Sequence, residues 1–260
     1  GCGAGTISSI TVANAQSQAT FYYKNNLSET VTLAANSGGF TSGSQVYSIN
    51  PGPASVLSMA NVGALTAGAC TAAITLRTAD GFGNFSNVGG NTSLTLAGNQ
   101  AGSFYGTGGC GAGTISTVTV LSGQSQAAIY YKNNTSQTVT LVANSGGFTQ
   151  GSQSYVVNPA TADTLAMTGV GPLSAGACSA SAITMTTKDA FGNASTVSGA
   201  KSLTLTGNQA GSFYGTGGCG AGTISSITVA NAQSQATFYY KNNTAQTVTL
   251  AADSGGFAQG

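Results

Sequence analysis

The string Gly-Cys-Gly-Ala-Gly-Thr begins at Gly1, Gly109 and Gly218, and residues 1–26 recur without a change at 218–243. Spacings of 108 and then 109 residues are the size of a small domain, so the chain must fold as copies of one domain-sized design. The extra residue enters after Cys178, where Thr71-Ala72-Ala73-Ile74 of one copy becomes Ser179-Ala180-Ser181-Ala182-Ile183 of the next. One added residue rotates a helical face by about 100°, whereas a strand absorbs it as a bulge. The indel therefore favours strands.

Within each copy, short apolar runs are separated by clusters of Gly, Asn and Ser, and no amphipathic helical stretch runs beyond a turn or two. In residues 19–24, Ala19, Phe21 and Tyr23 share one face and Thr20, Tyr22 and Lys24 the other. Alternation puts Phe21, Tyr23 and their copies Ile129, Tyr131, Phe238 and Tyr240 toward a core, with Lys24, Lys132 and Lys241 toward water. Val31, Leu33 and Ala35 alternate in the next run, and Asn25-Asn26-Leu27-Ser28 supplies turn chemistry between them, so the pair reads as a hairpin. About seven such strands in roughly 100 residues is the pattern of an antiparallel, immunoglobulin-like β-sandwich. The fold class expected is all-β, in tandem domains.

Pro51, Pro53 and Pro159 follow strand-like runs and mark linkers. The expected organisation is residues 1–52 as the C-terminal part of one repeat, 53–159 as a complete repeat, and 160–260 as a repeat lacking its last strand.

The strand order carries a family likeness. After the first linker come Ala54 to Met59, then Ala73 to Arg77 running into Asp80-Gly81-Phe82-Gly83-Asn84, a corner repeated as Asp189-Ala190-Phe191-Gly192-Asn193. A Thr/Val-rich pair of runs and a Gly-rich stretch follow. Along essentially its whole length the chain resembles the bacterial immunoglobulin-like repeats of invasin- and intimin-type adhesins and related surface fibre proteins. It differs from them in its regular cysteines and scarce charge. The resemblance implies an architecture, stiff spacers built of beads, and does not name a ligand.

Cys70 and Cys110 lie 40 residues apart, Cys178 and Cys219 lie 41 apart, and both pairs occupy matched places in the repeat. Disulfides within each copy, Cys70 with Cys110 and Cys178 with Cys219, are the reading of that spacing, and Cys2 is left without a partner. Such bonds belong to an extracellular or cell-surface setting. Close Cys-x-x-Cys spacing and histidine, which a metal site would want, are both absent.

Histidine is missing altogether and five carboxylates remain, scattered along the chain. Neither Ser-His nor Cys-His chemistry can be assembled, and no enzyme activity and no cofactor are expected. Charged residues make up 4% of the chain and the formal net charge is +1, which gives no field for nucleic acid. No apolar run reaches the roughly eighteen residues of a spanning helix.

Two motifs invite a binding role. Asp80 and Asp189, at the corners, suit either turn stabilisation or a weak Ca²⁺ site. The segment Tyr22-Tyr23-Lys24-Asn25-Asn26 recurs at Tyr130 to Asn134 and at Tyr239 to Asn243. An outward Tyr beside Asn suits a sugar ring, so Tyr22, Asn25, Tyr130, Asn133, Tyr239 and Asn242 form a candidate interaction strand; the same tyrosines equally suit cover for a sheet or contact with a neighbour. Gly102 to Gly113 has glycines but neither the Lys nor the helix of a phosphate loop, and reads as positive-φ turns and close backbone approach.

The functional expectation is a structural stalk or filament subunit of an extracellular surface fibre, whose partners are copies of itself. The alternative is an adhesin whose repeats hold glycan or protein on a host or prey surface directly.

Overall fold

The computed structural model describes residues 2, 3 and 5–257; the expected outer limits at 1 and 260 lie outside them. Among the described residues every long element is a strand, and the only helical turns are Gly108–Cys110 and Gly217–Cys219. Among the described residues no helix is long and apolar enough to cross a membrane.

Near the start, β1 (Thr30–Ala35) and β2 (Gly43–Ser48) form a two-stranded antiparallel sheet. Residues 52–158 contribute β3 (Val56–Met59), β4 (Leu65–Thr66), β5 (Ile74–Ala79), β6 (Thr92–Ala97), β7 (Ser103–Tyr105), β8 (Thr114–Ile115), β9 (Thr117–Val120), β10 (Gln126–Lys132), β11 (Gln137–Asn144) and β12 (Gly151–Asn158). They make two five-stranded sheets, ordered β3-β5-β10-β7-β8 and β4-β12-β11-β6-β9. Residues of both sheets enter one buried cluster, with Leu57, Ile74, Leu76, Ile129 and Tyr131 from the first and Leu94, Val139, Leu141 and Tyr155 from the second.

Alternation drives this. In β11, Val139, Leu141 and Ala143 are buried while Thr138 and Thr140 face water. Each fully buried Val or Leu contributes roughly 1.5–3 kcal/mol, and the hydroxyls on the other face keep an almost uncharged surface hydrated.

The later residues repeat the design with β13 (Ala162–Thr168), β14 (Ile183–Asp189), β15 (Lys201–Thr206), β16 (Gly211–Tyr214), β17 (Thr223–Ile224), β18 (Ser226–Val229), β19 (Gln235–Asn242) and β20 (Ala251–Asp253). The orders are β13-β14-β19-β16-β17 and β18-β15-β20, around a second buried cluster. Cys70 is bonded to Cys110 and Cys178 to Cys219, which ties the approach to β5 and to β14 to the glycine-rich stretch; Cys2 is exposed and unpaired.

Three local expectations are corrected. The runs read as a hairpin, 19–24 with 30–35, correspond in the second copy to β10 and β11, which lie in different sheets: β10 pairs with β5 and β7, β11 with β12 and β6. The intervening Asn133-Asn134-Thr135-Ser136 crosses from one sheet to the other. Alternation fixes which face is buried but not which strand lies alongside. The inserted residue falls in the irregular stretch between Cys178 and β14, not as a bulge, and Ile183↔Phe238 keeps the register of Ile74↔Ile129. Finally, Ile129, Tyr131, Phe238 and Tyr240 are buried, but Phe21 and Tyr23 are 47% and 44% exposed. Their copies are covered by β5 and β7 and by β14 and β16, and no described strand takes that place beside residues 19–24.

Candidate functional site: the corner between successive copies

Asp80 ends the β5 run at a tight corner. Its Oδ1 accepts from the backbone N–H groups of Phe82 (2.9 Å) and Asn84 (3.0 Å). Its Oδ2 accepts from the Gly52 N–H (2.8 Å) and the Asn84 side-chain amide (2.9 Å). Asp189 repeats the set with Phe191, Asn193, Ala160 and the Asn193 amide, at 2.8–2.9 Å. Both carboxylates are buried. Each holds four N–H donors around one negative charge, an arrangement that suits an anion and offers a cation nothing. The corners stabilise a turn, and the Ca²⁺ alternative has no coordination shell here.

The bond from the Asn84 amide, joined by the backbone donors, lowers the Asp80 pKa from 3.8 to about 2 against the cost of burial. At Asp189 burial works against the charge, yet the Asn193 amide and the N–H groups of Ala160, Asn193 and Phe191 still hold it below the ordinary value.

The corner also grips the linker. Gly52 donates its N–H to Asp80 and accepts at its carbonyl from the Ser86 hydroxyl (2.6 Å), while Ser86 in turn offers its own carbonyl to the buried Thr78 hydroxyl (2.7 Å). Ala160, Ser195 and Thr187 repeat this chain of bonds. A linker read from its prolines alone as a spacer is thus fastened to the copy that follows it.

The second half of the site belongs to the copy before. Asn84 Oδ1 accepts from Ser28 N–H (2.9 Å), and its amide donates to the Asn26 carbonyl (2.7 Å). Asn193 makes the same pair with Ser136 N–H (2.9 Å) and the Asn134 carbonyl (2.7 Å). The crossing loop after the Tyr-Tyr-Lys segment is therefore the surface on which the next copy's corner rests. At the second joint the Phe191 ring also covers Gly68, where a Cβ would overlap the ring carbons, so a side chain there is excluded.

The candidate interaction strand divides. Asn133 and Asn242 are 3% and 8% exposed. Each donates its amide to the hydroxyl two residues earlier, Tyr131 or Tyr240 (2.9 Å), and accepts from the N–H of Thr135 or Thr244. A contact role for these two is corrected: burial commits both ends of the amide to shaping the crossing loop. Asn25 bonds Glu29 and the Leu27 N–H within its own turn. Tyr130 and Tyr239 are half-buried over Gly108 and Gly217 of the glycine-rich stretch, and Tyr22 is 69% exposed. Among the described residues no three His, Cys, Asp or Glu side chains come together to hold a metal.

No protein-family model matches the chain, and no curated protein matches it. Among solved structures it is similar to domains 4 and 5 of the S-layer protein SbsC, at 14% identity and a TM-score of 0.29, over 49% of this chain and 65% of that one. The Yersinia pseudotuberculosis adhesin InvE gives 16% identity and 0.30, over 79% and 56%. A glycosyl hydrolase family 2 member from Bacteroides cellulosilyticus gives 11% and 0.35, over 51% and 18%. The chain spans less than two thirds of each of these proteins. Likeness this slight carries neither activity nor partner to the present chain.

Proposed function

We propose that this chain is a stretch of an extracellular surface array, a stalk or filament of immunoglobulin-like β-sandwich repeats stacked end to end, with domains at 53–159 and 160–260 and part of a third at 1–52. The observation that carries the reading is the joint. The same three bonds occur at Asn84 and again at Asn193: the Asn amide donates to the corner Asp and to a carbonyl of the previous copy, and its oxygen accepts from an N–H of that copy. A flexible linker would leave successive copies free to tumble, whereas a joint built alike at each step fixes one angle and lets added copies add reach. Two disulfides support a setting outside the reducing cytoplasm. An almost uncharged surface lets neighbouring copies pack with little mutual repulsion.

Electron microscopy of the native protein tests this, with a beaded rod repeating at about 35–45 Å per domain as the expected image. A compact globular particle overturns it. A direct adhesive role keeps one supporting observation, the exposure of Tyr22; saturable binding of residues 1–260 on a glycan array is the result that would establish it.

A further inference from the structure

Residues 52–158 form a sandwich whose two long sides differ. On one side the edge strand β3 is joined to the stretch just ahead of β12: Leu57 donates its N–H to the Thr149 carbonyl (2.9 Å), and Thr149 donates to the Ser55 carbonyl (2.8 Å). The other edge strand there, β4, is two residues long. On the opposite side β7 pairs with β8 and β6 with β9, and among the described residues nothing pairs with the free edge of β8 or β9.

One bond fixes where the backbone groups of β9 point. Leu96 donates its N–H to the Ser116 carbonyl (2.8 Å), and the register continues through Leu94↔Val118 and Thr92↔Val120. Alternate residues of an antiparallel pair turn the same way. Ser116, Val118 and Val120 therefore bond to β6, while Thr117 and Thr119 aim their N–H and carbonyl groups outward. β18 repeats this beside β15, with Leu205 donating to the Ser225 carbonyl (2.9 Å) and Ser226 and Thr228 left outward.

Proteins ordinarily blunt such an edge with a charge, a proline or a bulge. β9 reads Thr-Val-Thr-Val and its pairing with β6 is unbroken. Residues 81–131 contain no Asp, Glu, Lys, Arg or Pro, and β6, β7, β8 and β9 all lie within that run. Thr117 and Thr119 are exposed and Val118 is half-buried. An incoming strand meets open donors and acceptors, an unfinished apolar contact and no charge.

We propose that β9 of one chain pairs antiparallel with β9 of a second copy of this chain, side by side. Backbone bonds alone admit any extended strand. The choice of a second copy follows from the side chains, because Val118 faces Val118 at the two-fold axis and an uncharged side approaches its like without repulsion. In that register Thr117 of each chain lies opposite Thr119 of the other, and the two exchange an N–H and a carbonyl. The β4-to-β9 sheets of the two chains become one continuous sheet, and each Val118 gains cover from its mate. This contact uses a side strand, whereas the joint between successive copies uses the corner, so either can exist without the other.

The test uses the full chain carrying Cys2→Ser and Val118→Cys under mild oxidation, with the two native disulfides mapped in the same digest as a check of folding. The expected product is a dimer crosslinked through residue 118 of both chains. Moving the thiol to Thr95→Cys, an exposed position on β6 and one strand away from the axis, should cut the yield at least tenfold. Adding Thr117→Lys with Thr119→Lys to the Val118→Cys chain sets like charges opposite each other and should cut it as far. Thr117→Lys with Thr119→Glu, at the same exposed positions, sets opposite charges together and should keep or raise the yield. No dimer, equal yield from Thr95→Cys, or equal yield from the two charge variants overturns the proposal. In parallel, the mass of the Cys2→Ser chain in sedimentation should rise with concentration. A mass that stays monomeric throughout likewise overturns the pairing, while the beaded rod of the native protein stands or falls on its own image.

Discussion

Asn193 donates one amide to two acceptors that belong to different copies of the repeat, the Asp189 carboxylate at 2.8 Å and the Asn134 carbonyl at 2.7 Å. The residue that closes a corner in one copy is thereby the residue that meets the copy before it. Rigidity of the corner and geometry of the joint are one property.

Replacing Asn193 by Ala should loosen the joint more than it weakens either core. Three side-chain bonds are lost, two of them across the joint, at about 1 kcal/mol each. Small-angle scattering should report a broader distribution of angles between copies, with the unfolding midpoint of the Tyr131 core nearly unchanged. An unaltered scattering profile would show that the joint does not depend on this amide.

Acid should act on the same place. The Asp80 pKa falls from 3.8 to about 2 on folding and Asp189 is lowered too, so their contribution is fully present above the unfolded value. It is lost as pH falls from about 4 toward 2. Thermal midpoints measured from pH 6 to pH 2 should drop across that window, and Asp80→Asn with Asp189→Asn should flatten the profile while lowering stability at pH 6. A profile equally steep in the double variant would place the acid sensitivity elsewhere.

Gly102 should not accept a side chain. A Cβ there would overlap the Tyr131 hydroxyl, whereas one at Gly111 meets nothing within 4 Å. Tyr131 cannot retreat, since its hydroxyl donates to the Asn99 carbonyl (2.8 Å) and accepts from Asn133. Gly102→Ala is expected to cost about 1–3 kcal/mol in urea titration, and Gly111→Ala well under about 1 kcal/mol. Equal effects would mean that the close approach is not what selects glycine.

Removing the first disulfide, by Cys70→Ser with Cys110→Ser, should lower stability by about 4 kcal/mol, the loop entropy of a 40-residue closure. The loss should fall on residues 52–158, leaving the Cys178–Cys219 copy to unfold at its own midpoint. Hydrogen exchange resolved along the chain checks both parts, and a loss shared equally by both copies would show that they unfold as one unit.

What depends on near neighbours along the chain was legible from the residues alone. The period of Gly-Cys-Gly-Ala-Gly-Thr fixed that one design is repeated, alternation in β11 fixed which side chains are buried, and Asp-x-x-Gly-Asn marked a corner, since each lies within a few residues or in direct comparison of copies. Tertiary structure decided which strands lie side by side. The Tyr-Tyr-Lys-Asn-Asn segment looked like one arm of a hairpin, yet β10 and β11 part into different sheets, because pairing is chosen by strands far away whose burial outweighs a local turn. It also decided the fate of Asn133, whose amide turns inward only because Tyr131 brings a hydroxyl into the core beside it. Nor was the joint legible: Asn84 finds Asn26 and Ser28 more than fifty residues upstream. A bond across that distance leaves no local signature, since either partner alone reads as an ordinary turn residue.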